Sequence, residues 1–503
     1  MGSLSAALLF ALHPVQSEAV NAVVGRADLL AFALALSSFL LFAESASPFA
    51  IAALFLLALL SKESAAFALP LFLLHSRQAK RLVPLAAALA AYAGVRVAVL
   101  GGLGVSGREI GFLDNPLADA SLATRALAAP VLIFRYIGLI LWPRVLSADY
   151  SFDQIPVPEG ILDARVGLGI ALLVGAAFIA TRSGKFRFAV LAFVLPLLCS
   201  LHLLFPLGTL FAERLLYLPM LGAALTFGRG IENLFERKSA IGLVVLGLVV
   251  VASAAQLWSR NLDWRDNETL FRRTVETAPE SARSHFLLGA ELFEKKAFVE
   301  ASKRFEDGLR IYPNHFGALM SLGEARLGAG DLRGAEEAFR SSLRLVPSSA
   351  EARRAAFEAA LAYGRAGARA EDFATAEDAF RRGIELDESD PSAWNYLGLV
   401  HEQQGRVTEA REAYERALAS DADYVPALLN LASIRSNSGE LHAAEEIYRR
   451  AIGLAPDSYE AYNGLGIVLA RQGRRSEAVA AFEKAIAIEP GLGAARENLR
   501  NLR

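Results

Sequence analysis

The second half of the chain, from Asp263 to the C-terminus, repeats one residue pattern every 34 positions. Each unit carries a pair such as Leu-Gly, whose second residue is small. Alanine, an aromatic residue, alanine or glycine, and finally proline follow at fixed spacings. A period of this length is typical of helix pairs that stack side by side, so that neighbouring units bury one continuous core. The pattern therefore predicts a superhelix of about six helix pairs.

The small and aromatic positions indicate how the two helices of a unit pack. A glycine on the first helix lets the second helix approach closely, and the aromatic side chain of the second helix fills the space between them. This arrangement is the tetratricopeptide pattern. The third unit carries seven extra residues, which we place around 364–371, and a half unit over 264–279 precedes the array. The glycines are Gly289, Gly323, Gly398 and Gly466, and the aromatic residues are Phe305, Phe339, Phe380, Tyr414, Tyr448 and Phe482.

A superhelix of this kind presents a concave groove that suits an extended peptide or a partner helix. Asn395 and Asn463 occupy equivalent places on the first helices of their units. Their side-chain amides are candidates for holding a peptide backbone, and the alternative is that they are solvated polar residues on an exposed face. Trp394 and Tyr462 are expected to be packing residues.

The first half of the chain is much more apolar than the second. Apolar residues make up 54% of the 503 residues, which is too many for a soluble protein of this size and predicts membrane spans. A span needs about 20 apolar residues, or fewer inside a bundle. The predicted spans are 27–43, 48–60, 65–75, 83–101, 125–146, 164–180, 188–205, 210–227 and 241–258.

These two halves predict an all-α chain with a polytopic membrane bundle followed by a repeat superhelix. The expected boundaries are 1–260 for the bundle, 261–281 for a linker with the half repeat, 282–490 for the repeats and 491–503 for a capping helix. The N-terminus has no basic region ahead of its apolar stretch, so it does not indicate a signal peptide.

The basic connections at 75–81, 182–187 and 229–238 are expected in the cytoplasm by the positive-inside rule. Segment 125–146 then does not fit a single crossing, because the loops before and after it are both expected on the outer side of the membrane. We expect this segment to be re-entrant or to lie along the outer surface, since irregular backbone at membrane depth needs protein or water beside it. A single crossing would invert the rest of the chain and leave two basic loops outside.

Ionisable residues collect at the mouths of the apolar runs on that outer side. Such groups are costly to place at membrane depth and often mark a functional site. The alternative is that they are interfacial anchors, helix caps or local ion pairs, such as Glu213 with Arg214 or Lys62 with Glu63. The candidates are His13, Glu18, Arg26, Asp28, Lys62, Glu63, Arg135, Asp149, Glu213, Arg214 and Tyr217.

Charge and metal-ligand counts exclude several other classes. The net charge of −2, without a basic tract, argues against a nucleic-acid partner. The single cysteine, Cys199, excludes an intrachain disulfide and a cysteine-based zinc site. The seven histidines show no ligand spacing, so we expect no metal.

Six segments resemble, in order, the transmembrane and tetratricopeptide repeat-containing O-mannosyltransferases and their bacterial relatives. The resemblance covers essentially the whole chain. The segments are HPVQSEAVNAVVGRADLL, LLSKESAAFALPL, DNPLADASLATRAL, RYIGLILWPRVLSADYSF, FPLGTLFAERLLYLP and WRDNETLFRRTVETAP.

The resemblance implies a GT-C type membrane glycosyltransferase. Such an enzyme moves a mannose-like sugar from a polyprenyl-phosphate donor to Ser or Thr of a protein, and extracytoplasmic repeats select the acceptor. The implied partners are membrane lipid and an acceptor protein, with the lipid-linked sugar as donor substrate and no other cofactor. The composition, rich in Ala, Leu and Arg, suggests the bacterial inner membrane.

The implied reaction needs a carboxylate base, cations that hold the departing phosphate and a dry slot for the lipid. Arginine suits the phosphate because its planar fork donates two parallel hydrogen bonds. His13, Glu63, Asp149 and Tyr217 are further candidates at the site. We assign phosphate binding to Arg214, Arg26, Lys62 and Arg135, and the carboxylate roles to Glu213, Glu18 and Asp28.

The chain departs from the family at its start. Family members begin with a further span and an outer loop that carries an acidic pair, and this chain starts after that point. We therefore expect an N-terminally incomplete chain, or one that kept the scaffold and lost the chemistry. The competing hypotheses are a non-catalytic membrane-anchored repeat scaffold for extracytoplasmic proteins and a transferase that acts on polysaccharide.

Overall fold

The computed structural model describes residues 2–22, 25–76, 78–100, 112–143, 145–152, 154–203, 207, 209–491 and 493–502. The regular secondary structure within these ranges is helical and contains no strand, which confirms the all-α class. Arg77 and residues 101–111, the first part of the loop before segment 125–146, lie outside the described residues. The chain divides into two compact units, Met1–Pro313 and Asn314–Arg503, so the first repeat belongs to the unit that contains the membrane half.

The first unit contains the apolar helices and the first repeat. Three 3-10 turns, Pro14–Gln16, Glu63–Ala68 and Glu213–Leu216, interrupt it where charged residues cluster. Its helices are α1 (Gly2–Leu12), α2 (Ser17–Asn21), α3 (Gly25–Ala43), α4 (Pro48–Ser61), α5 (Leu69–His75), α6 (Ala79–Leu100), α7 (Leu122–Leu141), α8 (Ala164–Arg182), α9 (Gly184–Cys199), α10 (Tyr217–Arg237), α11 (Ser239–Asp263), α12 (Asn267–Thr277), α13 (Ala282–Glu294) and α14 (Phe298–Ile311).

Five helices of the described chain, α3, α6, α7, α8 and α11, are long and apolar enough to cross a membrane. Helices α4 and α9 are shorter. Two predicted spans differ from the structure: 65–75 begins as a 3-10 turn, and 210–227 becomes helical only at Tyr217. The spans were predicted from runs of apolar residues, and such runs do not show that a 3-10 turn precedes the α-helix.

Segment 125–146 forms α7, a continuous helix that includes Pro130, so the re-entrant path is wrong. In its first turn, Arg125 donates a hydrogen bond to the carbonyl oxygen of His202 (3.3 Å). In its last turn, the carbonyl oxygen of Ile140 accepts a hydrogen bond from Nε2 of His13 (3.0 Å). The two ends of α7 therefore contact the chain just after α9 and just after α1.

Helices α1 and α9 both end at the face of the bundle where α10 begins. The ring centroids of Phe10, near the end of α1, and Tyr217, the first residue of α10, lie 5.4 Å apart. Gly222, early in α10, lies against the backbone of Phe193, late in α9. Although α7 is long enough to cross a membrane, these contacts bring both of its ends to the face of the bundle where α10 begins.

The second unit contains the remaining helix pairs. Each first helix packs against the helix that follows it, and the last helix, rich in Arg and Asn, packs on the final pair through Ala495. The helices are α15 (Phe316–Ala329), α16 (Leu332–Leu345), α17 (Ala350–Arg369), α18 (Phe373–Leu386), α19 (Pro391–Gln403), α20 (Val407–Ser420), α21 (Val425–Asn437), α22 (Leu441–Leu454), α23 (Tyr459–Arg471), α24 (Arg475–Ile488) and α25 (Gly493–Leu502).

The structure corrects the position of the seven extra residues in the third repeat. A Cβ atom added to Gly364 would lie 2.6 Å from the Phe380 ring, as one added to Gly398 would lie 2.5 Å from Tyr414. Gly364 is therefore the small position of its repeat, and the extra residues precede it. They lengthen α17 to 20 residues, against 13 in α19. Seven residues are about two helical turns, so the added length leaves the packing face unchanged.

Buried Glu445 on α22 joins two neighbouring helix pairs. Its carboxylate accepts hydrogen bonds from Nη1 of Arg474 (2.6 Å) and Nε2 of Gln472 (3.0 Å). Burial favours the neutral acid, but the hydrogen bonds from Arg474 and Gln472 outweigh it and lower the pKa of Glu445. The stabilisation is therefore present above the ordinary glutamate pKa and is lost as the pH falls through the lowered value.

Replacing Glu445 by alanine is expected to lower the free energy of unfolding by about 1 kcal/mol at neutral pH, because the guanidinium partners are partly solvated. Thermal unfolding of the full chain, with hydrogen exchange of α22 and α24, measures the change. The matched control is Glu446→Ala, since Glu446 is the exposed neighbour. An equal loss from both variants, or a difference that persists at acid pH, would contradict the assignment.

Candidate functional site

A small cleft opens between α3, the turn Glu63–Ala68 and the start of α10. Asp28, Ser64 and Arg214 contribute charged or hydroxyl groups to its wall. The rest of the wall is mainly apolar and includes Phe32, Ala35, Phe67, Ala68, Leu215 and Leu218. The cleft therefore combines a cation and a carboxylate with an apolar lining.

Two ion pairs hold the charged residues of this region. Nη1 of Arg214 donates to Oε1 of Glu18 (2.5 Å), and the Arg214 backbone N–H donates to Oε2 of Glu18 (3.0 Å). Lys62 pairs with Oδ2 of Asp28, whose Oδ1 accepts a hydrogen bond from the Ser64 hydroxyl (3.2 Å). The Glu18 side chain is 3% exposed, whereas that of Arg214 is 27% exposed. The carboxylate thus fixes a guanidinium group that remains open to the cleft.

These pairs replace the local pairs that the sequence suggested. Glu213 does not pair with Arg214, and Lys62 does not pair with Glu63. Ala212 and Lys62 are extended and a 3-10 turn follows each of them, so adjacent side chains leave the backbone in different directions.

Glu213 is fully buried beside the cleft. Its Oε1 accepts hydrogen bonds from the backbone N–H of Ser147 (2.7 Å) and from the Tyr150 hydroxyl (2.7 Å). Its Oε2 lies 4.0 Å from Nη2 of Arg260, and neither atom has a hydrogen-bond partner in the described part of the chain. Arg260 was not among the predicted site residues because the last predicted span ended at residue 258. The spacing of Arg260 and Asp263, three positions apart, was the available signal, and the structure pairs them at 3.0 Å.

Burial raises the pKa of Glu213 to about 8, against the opposing charge of Arg260. The folded protein then keeps a proton that the unfolded chain releases near the ordinary glutamate pKa, so stability should fall as the pH rises between the two values. Replacing Glu213 by glutamine is expected to flatten this dependence. Thermal unfolding across that pH window checks it, with Glu63→Gln as the exposed control. Parallel pH profiles for wild type and the Glu213 variant would contradict the expectation.

Arg26, Arg135 and Glu63 are among the predicted site residues that do not line the cleft. Arg26 and Arg135 are exposed and form no ion pair within the described residues. Glu63 is 66% exposed and lies 3.9 Å from Arg96. Phosphate binding by Arg26 or Arg135 therefore has no structural support. On α7, the buried neighbour Tyr136 faces the core, and Arg135 does not.

His13 and Tyr217 each contact other residues of the bundle. Nδ1 of His13 accepts a hydrogen bond from the Val15 N–H (3.3 Å), and burial lowers the pKa of His13. This neutral ring caps the turn that follows α1. Tyr217 lines the cleft and packs edge-on against Phe32, with the ring centroids 4.9 Å apart.

The two groove asparagines lie on equivalent first helices, α19 and α23. Oδ1 of buried Asn395 accepts a hydrogen bond from Nδ2 of Asn430 (3.0 Å), and Oδ1 of Asn463 accepts one from Asn498 (3.5 Å). Each amide is therefore already joined to the next first helix. Trp394 and Tyr462 are partly buried packing residues, as expected. Among the described residues, no group of three or more acidic, histidine or cysteine side chains has a metal-binding arrangement.

Comparison with known proteins supports the resemblance. A family model described as "Protein O-mannosyl-transferase TMTC, DUF1736" matches residues 112–177. The chain is 28% identical over 396 residues to mouse Protein O-mannosyl-transferase TMTC3, which is 69% of this chain and 43% of that protein. It is 31% identical over 351 residues to human TMTC4, which is 58% of this chain and 47% of that protein. The chain is a relative of the TMTC family.

This relationship spans less than half the length of the curated TMTC proteins that the chain matches. The "Cilia and flagella-associated protein 70 C-terminal domain" model matches residues 310–500, within the tetratricopeptide half. The solved tetratricopeptide protein YrrB is similar to 39% of this chain and 97% of its own, with 18% identity and a TM-score of 0.31.

Proposed function

We propose that this TMTC relative transfers a mannose-like sugar from a polyprenyl-phosphate donor to Ser or Thr of proteins. The observation that carries the proposal is the position of Arg214 on the wall of an apolar cleft. Among the described contacts, its guanidinium group bonds to protein only through Nη1. The remaining N–H donors suit a phosphate group, and the apolar lining suits the polyprenyl chain.

Asp28 is the carboxylate that supports the acceptor step. Of Glu18, Asp28 and Glu213, it is the residue that lines the cleft. In the proposed reaction the acceptor hydroxyl gives its proton to this carboxylate, and the oxygen bonds to the anomeric carbon. The bond from that carbon to the donor phosphate oxygen breaks, and the phosphate remains with Arg214. Lys62 and Ser64 orient Asp28 through its two oxygens.

We also propose the cellular setting that the resemblance implies. The cleft lies on the extracytoplasmic side of a bacterial inner membrane, the repeats bind the acceptor protein, and membrane lipid surrounds the bundle. The GT-C assignment belongs to this proposal.

Reconstitution of the full chain in vesicles with labelled polyprenyl-phosphate mannose and acceptor protein tests the proposal. We expect O-linked label in protein that β-elimination releases, and no label from a nucleotide sugar. Label in polysaccharide would replace the proposed acceptor. No label at all, while a known transferase works in the same vesicles, would overturn the enzyme function.

That last result would favour a membrane-anchored repeat scaffold. One observation supports this second candidate, because both Arg214 and Lys62 already have a carboxylate partner. A scaffold would capture extracytoplasmic proteins equally well with or without the lipid donor.

A further inference from the structure

Two loop segments on one face of the bundle, residues 112–117 and 145–152, join each other and the first repeat. We call them the collar. The Phe152 N–H donates to the carbonyl oxygen of Leu113 (3.0 Å), and the Ala282 N–H donates to the carbonyl oxygen of Phe152 (3.3 Å). Ala282 is the first residue of α13, so a continuous set of backbone hydrogen bonds runs from the collar into the first repeat.

Asp149 of the collar contacts the start of the same helix. Its Oδ2 accepts hydrogen bonds from the hydroxyls of Ser151 (2.7 Å), Ser284 (3.1 Å) and Ser281. The Ser281 hydroxyl in turn accepts a hydrogen bond from the Ser284 N–H and caps α13. A carboxylate is favourable near a helix N-terminus. This one therefore fixes the first turn of the repeat.

The collar contacts the first repeat at two further points. Arg283, in the first turn of α13, forms an ion pair with Asp114. Tyr312, just after α14, lies with its ring centroid 5.9 Å from that of Phe152 and 6.4 Å from that of Phe112. Contacts at the beginning and the end of the repeat restrict its rotation on the bundle.

The collar also contacts the segment that carries the site. Ser147 and Tyr150 bind Oε1 of Glu213, the neighbour of Arg214. The Leu210 N–H donates to the carbonyl oxygen of Asp114 (3.1 Å). The same short segments thus hold both the first repeat and the turn that presents Arg214.

We propose that the collar fixes the first repeat in register with the cleft, and that Asp149 is the positioning residue of this joint. The inference rests on the proposed function, because register matters only if an acceptor held by the repeat meets the sugar donor. It assigns a role to residues within the segment that the DUF1736 model matches. The collar does not touch the reacting atoms; it sets where the acceptor chain enters.

The test uses Asp149→Ala in the full chain, with Asp119→Ala as the control, since Asp119 is exposed just beyond the collar. Hydrogen exchange at Phe152 and Ala282 should rise by about tenfold in the Asp149 variant, because charge-assisted hydrogen bonds are lost. We expect a similar rise in KM for the protein acceptor. The kcat value and hydrolysis of the donor without acceptor should not change. The control should match wild type.

Charge exchange between Asp114 and Arg283 provides a second arm that does not depend on Asp149. Asp114→Arg and Arg283→Asp should each raise exchange and KM, and the double variant should restore both. Unchanged exchange, or raised exchange with an unchanged KM, would overturn the inference. If wild type transfers no sugar, the proposed function and the proposed role of the collar in aligning the acceptor both fail. In that case the exchange data still decide whether the collar holds the repeat.

Discussion

Replacing Arg214 by alanine is expected to lower the rate of the proposed sugar transfer by about a hundredfold to a thousandfold, as loss of one preorganised oxyanion-hole donor does in a hydrolase. The guanidinium group lines the cleft, and in the proposed reaction the departing phosphate needs a cation there. The variant also leaves Glu18, with 3% of its side chain exposed, without its partner. Transfer must therefore be measured per folded protein in the membrane.

Two companion variants separate phosphate binding from this structural effect. Arg214→Lys keeps a cation opposite Glu18 but loses the planar fork, so we expect a smaller but clear loss of transfer. Arg229→Ala removes an arginine from α10, the helix that follows the turn carrying Arg214, where Arg229 is 57% exposed and pairs with Glu232. It should transfer at the wild-type rate. Wild-type turnover in both Arg214 variants would remove this residue from the site.

Replacing Gly222 by alanine is expected to destabilise the bundle by about 3 kcal/mol or more, since overpacking at this point meets backbone atoms. A Cβ atom there would lie 2.2 Å from the backbone nitrogen of Phe193. Small residues allow membrane helices to approach closely, and neither helix can yield without separating α9 from α10. Thermal unfolding in lipid nanodiscs and the yield of monodisperse protein measure the effect.

Gly230 provides the control for this substitution. It lies on the same helix, and a Cβ atom there would have no atom within 4 Å. Gly230→Ala should be neutral or stabilising by about 0.5–1 kcal/mol, because alanine has less backbone freedom to lose in a helix. Similar unfolding midpoints for the two variants would show that the close approach at Gly222 is not required. Because α10 begins at the cleft, we also expect the Gly222 variant to lose transfer.

The sequence predicted the repeat superhelix well because its determinants are local and periodic. Each glycine and its aromatic partner are 16 positions apart, as in Gly323 with Phe339 and Gly466 with Phe482, and the structure brings each pair into contact. The seven extra residues of the third repeat were misplaced because Tyr363-Gly364 stands where most other units have Leu-Gly. The all-α class and the relation to the TMTC proteins also followed from residues read in order.

The sequence alone therefore determined which segments are helical, which are apolar and which residues carry charge. Only the tertiary structure decided which charges meet: Arg214 with Glu18, 196 residues away, and Lys62 with Asp28, 34 residues away. It also brought one end of α7 to His202 and the other to His13. The physical reason is that helix periodicity and hydropathy act over a few turns. Ion pairs in a bundle depend instead on turns whose side-chain directions no local pattern specifies, and on helices that meet only after folding.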